Sequence, residues 1–259
     1  AQGVVISGLT SIGGDNNSGL MISGFMNVTG NMASGLHFSG VANITGQSFG
    51  GLMASGLLNV VGEHMNGLQI AGIANITASK LNGVQVALCN YATKTRGLQI
   101  GLVNYYKEDM KGFQLGLVNA NPDTKVQMMV YGGNATPANI GVRFKNQLFY
   151  TILGVGSMYQ GLNDKFSASA SYRAGLSFPL YKGLSISGDL GYQHIEAFDN
   201  KDEVIPKRLY ALQARANLEY QFTKKFGIFA TGGYGLTRFY NKSSNYDKGA
   251  IIEAGIVLF

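Results

Sequence analysis

The hydrophobic pattern of this chain changes its period once. Up to residue 121 a short motif recurs. Residues 19–30 read GLMISGFMNVTG, 35–46 GLHFSGVANITG, 51–62 GLMASGLLNVVG and 67–78 GLQIAGIANITA. The motif continues in shortened form as GVQVALCNYA (83–92), GLQIGLVNYY (97–106) and GFQLGLVNAN (112–121), and residues 3–14 are a worn first copy. The opening glycines fall at 19, 35, 51, 67, 83, 97 and 112, so the period is 16 and shrinks to 14 or 15. Copies of fixed short period and constant sense predict the stacked coils of a parallel β-solenoid. In that reading Leu20, Leu36, Leu52, Leu68, Val84, Leu98 and Phe113 form one inward row. Asn27, Asn43, Asn59, Asn75, Asn90, Asn104 and Asn119 form a second row, a ladder of amides bonded up and down the stack.

A second reading competes. Leu20, Ile22, Gly24, Met26 and Val28 alternate strictly with other residues, which also suits a membrane strand. Each repeat would then be one strand and a turn, and the whole chain one barrel of about 16 strands. Against it, up and down strands meet different surroundings, and nothing explains why they would share one sequence.

From residue 126 the repeat gives way to long alternating segments. In 166–178, Phe166, Ala168, Ala170, Tyr172, Ala174, Leu176 and Phe178 form one face, and Ser167, Ser169, Ser171, Arg173, Gly175 and Ser177 the other. Residues 184–193 and 210–222 alternate in the same way. With 226–240, 250–259 and the weaker 126–133, 138–145 and 147–159 they make eight candidate strands, the size of a small membrane barrel. A soluble sandwich or lipocalin-like barrel would share the alternation, but bury its apolar face. Two features favour apolar side chains outside. Aromatic residues (Phe166, Phe178, Tyr210, Phe222, Phe226, Tyr240) sit at strand ends, and the polar face carries Arg173, Asp189, Arg215 and Glu219, which could pair inside a filled lumen. The reading divides the chain into a repeat region, 1–125, and a barrel, 126–259.

Composition supports this. Charged residues are 13% of the 259, against ~25% in an average soluble domain. Yet no stretch approaches the ~20 consecutive apolar residues of a membrane helix. A start at Ala1-Gln2 is what cleavage of a secretory leader after a small residue leaves. The net charge of +6 is uneven, with no Lys or Arg before Lys80. The basic residues do not cluster on one element, so anionic membrane head groups are expected as their counterpart and nucleic acid is not.

The terminal AIIEAGIVLF (250–259) looks like the closing strand of outer-membrane β-barrels, whose final aromatic, here Phe259, is recognised by the barrel assembly machinery. One departure stands out. Phe259 shares parity with Glu253, so either Glu253 lies beyond the lipid core or a bulge shifts the register. The repeats GLQIGLVN (97–104) and GFQLGLVN (112–119) resemble those of surface-repeat proteins of Bacteroidota and spirochaetes, a family tied to no defined activity.

Candidate chemistry is sparse. His37, His64 and His194 lie far apart, without metal-ligand spacing. His37 reads as a variable repeat residue, and the lone Cys89 as a packed small apolar one. The glycines at 232–235 precede no helix and make no phosphate loop. His194 and Glu196 share a strand face. Small outer-membrane barrels that trim lipid A use a rim His with Ser and an acid, but here no Ser stands at a matching offset on the strand. An interfacial pair is the simpler reading. No catalytic, cofactor or metal site is expected. The expected molecule is a non-enzymatic bacterial outer-membrane protein, in contact with outer-membrane lipid or lipopolysaccharide, the assembly machinery and other outer-membrane proteins. It would act as a scaffold or accessory subunit, with a channel as the alternative and a surface adhesin third. An even-stranded barrel has both ends on one side, which places the repeats in the periplasm or against the inner leaflet.

Overall fold

The computed structural model describes residues 2–157, 159, 166–198, 208–240 and 245–259. The chain forms two compact units, Ala1–Asp123 and Thr124–Phe259. Both are all-β.

The first unit is a solenoid. Its strands are β1 (Gln2–Ser7), β2 (Thr10–Gly13), β3 (Asn16–Ser23), β4 (Met26–Thr29), β5 (Met32–Ser39), β6 (Ala42–Thr45), β7 (Ser48–Ser55), β8 (Leu58–Val61), β9 (His64–Ala71), β10 (Ala74–Val86), β11 (Cys89–Ile100), β12 (Val103–Leu115) and β13 (Val118–Ala120). Each early coil is one longer and one shorter strand joined by a two-residue turn that begins with glycine, such as Gly24-Phe25, Gly40-Val41 and Gly56-Leu57. The longer strands stack in parallel as β1-β3-β5-β7-β9-β10, and the shorter ones as β2-β4-β6-β8-β10. Like lies on like: Gly19 pairs with Gly35, Leu20 with Leu36, and Asn27 with Asn43. Where the period shortens, the ladder shifts register, between Thr77 and Lys80 and between Ala92 and Lys94. The repeats are therefore not strands of one large barrel. Identical copies can satisfy one another's backbone and amide groups only when stacked in parallel and in register.

The opening glycines fix the spacing of the stack. Gly19, Gly35, Gly51 and Gly67 have φ of 117°, 105°, 129° and 133°, a region that side chains with a Cβ avoid. A Cβ on Gly51 would lie 2.2 Å from the carbonyl oxygen of Gly35 in the neighbouring coil.

The expected inward row is reversed. Leu36 is 46% exposed and Phe113 73%, and none of the others of that row is fully buried. The residues one step later point inward instead: Met21, His37, Met53, Gln69, Gln85, Gln99 and Gln114 are all buried. The physical reason is the ladder. Stacked amides find partners in the coils above and below, so the interior does not need apolar side chains.

The second unit is a closed barrel of β14 (Lys125–Gly133), β15 (Ala138–Asn146), β16 (Phe149–Ser157), β17 (Ser167–Tyr181), β18 (Leu184–Ala197), β19 (Arg208–Thr223), β20 (Phe226–Phe239) and β21 (Asn245–Leu258). Every neighbouring pair is antiparallel, and β21 closes on β14 with Met128 opposite Leu258 and Gly133 opposite Glu253. Each alternating segment of the sequence lies on one of these strands, although the segment 147–159 includes residue 158, which is outside the described residues. Two-residue turns after Asn146, Lys-Gly after Tyr181 and Lys-Lys after Thr223 form one rim. The alternation is apolar outside and polar inside. Along β17, Ser167, Ser169, Arg173 and Ser177 are buried, while Leu176 and Phe178 are 47% and 46% exposed.

Candidate functional site

The barrel lumen holds a closed network of charges. Arg173 forms a bidentate pair with Asp189, at 2.7 Å for both Nε–Oδ1 and Nη2–Oδ2. Tyr150 and Asn217 each donate a further hydrogen bond to Asp189, at 2.8 Å. Arg143 grips Glu219 at 2.6 and 3.0 Å, and Arg215 grips Glu253 at 3.1 and 3.2 Å. Arg173 Nη1 also lies 3.9 Å from Glu253, which couples two of the pairs. All six charged side chains are buried, three arginines against three carboxylates. Tyr131, Tyr150, Ile152, Phe229 and Val257 pack beside them.

The luminal residues expected from the sequence, Arg173, Asp189, Arg215 and Glu219, all point inward. Their pairing crosses between strands in a way the sequence does not reveal. Arg215 meets Glu253 rather than Glu219, and Glu219 meets Arg143. Arg143 and Glu253 were the missing members. Parity marks both, because each shares a strand face with residues that point inward.

Glu253 also resolves the last strand. It is 3% exposed, and the β21–β14 ladder runs without a shift between Gly133–Glu253 and Met128–Leu258. Neither expected explanation holds: Glu253 is not beyond the apolar band, and no bulge intervenes. Phe259 keeps the same parity and packs against the inner cluster of Met129, Tyr131, Tyr150, Ile152, Phe229 and Val257. The outer face of β21 is that of Ile252, Ala254, Ile256 and Leu258.

The outer face carries aromatic side chains towards both rims. Phe222 and Phe226 stack at 6.0 Å near one rim. Phe166 and Phe198 meet at 5.8 Å near the other, with Tyr192, Tyr210 and Tyr240 close by. His194 and Glu196 join this second group on the outside, with Nε2 3.4 Å from the carboxylate. Nδ1 of His194 lies 2.6 Å from the Tyr240 hydroxyl, and Glu196 also holds Arg208. A shallow outer concavity of about 980 Å³ adjoins them, lined by small and apolar residues including Gly156, Ala168, Ala170 and Ala254. Ser157 lines it too, but β17 separates it from His194. Among the described residues no group of three His, Cys, Asp or Glu is placed to hold a metal ion.

In the solenoid the expected asparagine row is a continuous ladder. Amide contacts run from Asn27 to Asn43 (2.8 Å), Asn59 (2.9 Å), Asn75 (2.9 Å), Asn90 (3.1 Å), Asn104 (2.9 Å) and Asn119 (2.9 Å). A second ladder links Gln69, Gln85, Gln99 and Gln114 at 2.8–2.9 Å. Its signal in the sequence is plain, since four glutamines stand at one repeat offset. His37 occupies the same row, edge-on to Phe49 at 4.9 Å, and burial lowers its pKa to about 4. Cys89 is not a packed residue. It is exposed, on an outward row between Ala74 and Val103.

No protein-family model matches the sequence, and no curated protein matches it. Among solved structures, the N-terminal β-barrel domain of Pseudomonas aeruginosa OprF is similar over 51% of this chain and 93% of its own, at 16% identity and a TM-score of 0.35. Neisserial surface protein A covers 51% and 92%, at 8% identity and 0.32. Ail, the attachment invasion locus protein of Yersinia pestis, covers 51% and 92%, at 17% identity and 0.30.

Proposed function

We propose that this chain is a bacterial outer-membrane protein whose barrel is an anchor rather than a pore, and that it serves as a scaffold or accessory subunit of a larger outer-membrane assembly. The observation that carries the reading is the inverted barrel: an apolar outer face over a lumen filled by three buried ion pairs. Phe166 precedes β17 and Phe178 lies near its far end, and twelve residues at ~3.3 Å and ~45° tilt give about 28 Å, close to the ~25 Å apolar band of such barrels. A charge set that pairs with itself inside the lumen favours a filled barrel over a water-filled channel. The His194–Glu196 pair is read as an interfacial ion pair among the rim aromatics.

Planar-bilayer recording of the purified full chain tests the anchor. No steady single-channel current is expected, and a stable open conductance would overturn it. The scaffold role is tested separately, by gentle detergent extraction and native separation. The chain is expected to migrate with other outer-membrane proteins, and recovery solely as a lone monomer would defeat that part. Phe259 as an assembly signal belongs to the same proposal. Phe259→Leu, which keeps an apolar side chain against the inner cluster, should lower the folded yield in cells while changing the stability of the refolded barrel little.

A further inference from the structure

The outward rows of the solenoid divide by chemistry. One edge of each coil is polar: Asp15, Asn31, Gln47 and Glu63 in the early coils, then Lys80, Lys94, Arg96, Lys107 and Lys111. Behind that edge the inward residues are apolar, with Ala33, Phe49, Met65 and Leu81 in one buried cluster. That is how a water-facing protein is built. Past the opening glycine the order inverts. The outward residues become Leu20, Ile22, Phe25 and Val28 and their counterparts, while the Ser, Gln, Asn and Thr residues of these strands turn inward beside Met21, Met53 and Val61. The turn itself forms a ridge of large apolar side chains: Leu9, Phe25, Leu57, Ile73, Leu88 and Leu102 are 44–74% exposed. Apolar outside and polar inside is the pattern of the barrel wall.

We propose that this ridge is sunk into the hydrocarbon of one membrane leaflet, with the polar edge of the coils left at the head groups. The inference rests on the outer-membrane reading of the barrel. Four observations point to lipid as the occupant. The first is depth. From Leu20 to Phe25, five residues at ~3.3 Å reach about 16 Å, the ~15 Å of one leaflet and half of the ~30 Å core. The second is the backbone. Hydrocarbon tolerates no unpaired amide, and the turn amides on the ridge are paired with the coil beneath: Phe25 N–H to Leu9 O at 2.7 Å, Val41 to Phe25 at 2.9 Å, Leu57 to Val41 at 3.0 Å and Ile73 to Leu57 at 3.0 Å.

The third is the boundary between the two zones. On the returning strands, Tyr91 and Tyr105 stack at 5.8 Å in the row that begins with Val28. Tyrosines favour such a depth, where the ring is apolar and the hydroxyl is wet. The fourth is charge. The charged residues of the later coils, five cations with Glu108 and Asp109, lie on or beside the polar edge, where Lys94 pairs with Glu108 at 3.2 Å and the excess positive charge would meet anionic head groups, and none lies on the ridge.

Spin labelling of the full chain in vesicles containing phosphatidylglycerol tests this. A nitroxide is attached to native Cys89, or to Leu57→Cys, Gln47→Cys or Val155→Cys in a Cys89→Ser background. Each label is exposed to oxygen, which concentrates in hydrocarbon, and to a water-soluble nickel chelate. Leu57→Cys and Cys89 should favour oxygen several-fold over Gln47→Cys, and match Val155→Cys on the barrel wall. If Val155→Cys favours oxygen but Leu57→Cys and Cys89 favour nickel, the leaflet proposal fails and the barrel reading stands. If Val155→Cys also favours nickel, the barrel reading itself has failed. Labels on the ridge shielded from both reagents would mean a protein cover, such as a second copy of the chain, and would equally overturn the proposal.

Discussion

Single residues set this fold through two demands, space and charge. Gly51 has both a positive φ and a neighbouring carbonyl 2.2 Å from any Cβ. Gly51→Ala should therefore destabilise the solenoid by well over ~1 kcal/mol, seen as earlier loss of β-sheet circular dichroism and faster proteolysis within 1–123. Glu253 shows the demand of charge. Removing it strands Arg215 and weakens the hold on Arg173, and breaking a buried pair costs about 3–5 kcal/mol. Urea unfolding of Glu253→Ala should show that loss, while Glu63→Ala at the exposed edge should stay within about 0.5 kcal/mol of the parent. His37 adds a pH dependence. Its pKa is near 4 folded and ~6.5 unfolded, so the unfolded chain binds the proton more readily. Stability from this site is complete above pH ~6.5 and declines as pH falls toward 4, by at most about 1.4 kcal/mol per pH unit. His37→Gln should flatten that slope when unfolding is followed from pH 7 to 4.

At the scale of elements, the coil is the unit of stability. Each contacts only its neighbours, so the stack should tolerate loss of a whole coil but not half of one. Deleting 51–66 brings Gly35 under Gly67 and Asn43 under Asn75, in the register the other coils use. Deleting 51–58 brings unlike rows together and interrupts the asparagine ladder between Asn43 and Asn75. Thermal unfolding of the two deletions should show a cooperative transition for the first and none from the solenoid for the second. Asn59→Leu probes the ladder itself. It strands buried amide groups on Asn43 and Asn75, at a cost of about 1–3 kcal/mol each.

Over the whole molecule the two units share one inversion, with large apolar side chains outside and amides or charges within. In the barrel it runs along every strand, with two buried apolar clusters beside the luminal charges, and in the solenoid it is confined to the part of each coil beyond the opening glycine. Much of this was legible in the sequence. The period announced the stacked coils, and alternation in 166–222 announced the barrel and its luminal Arg173, Asp189, Arg215 and Glu219. The pairing was not legible. Arg143 and Glu219 are 76 residues apart and on non-neighbouring strands, so they meet only after the barrel closes and the lumen brings facing walls together.

The alternation Leu20, Ile22, Gly24, Met26, Val28 is the clearest case of the division. By itself the sequence determined that Leu20 pairs in parity with Ile22, and Met26 with Val28, because parity is a local property of an extended backbone; the turn between the pairs, at Gly24-Phe25, came from the structure. Only the tertiary structure decided which face, and against what. The rule that apolar residues turn inward gave the wrong side for Leu36 and Phe113, because it presumes that buried polar groups lack partners. Parallel stacking supplies those partners from the next coil, at distances along the chain of 14 to 16 residues. With Asn and Gln satisfied inside, the apolar rows were free to lie outside.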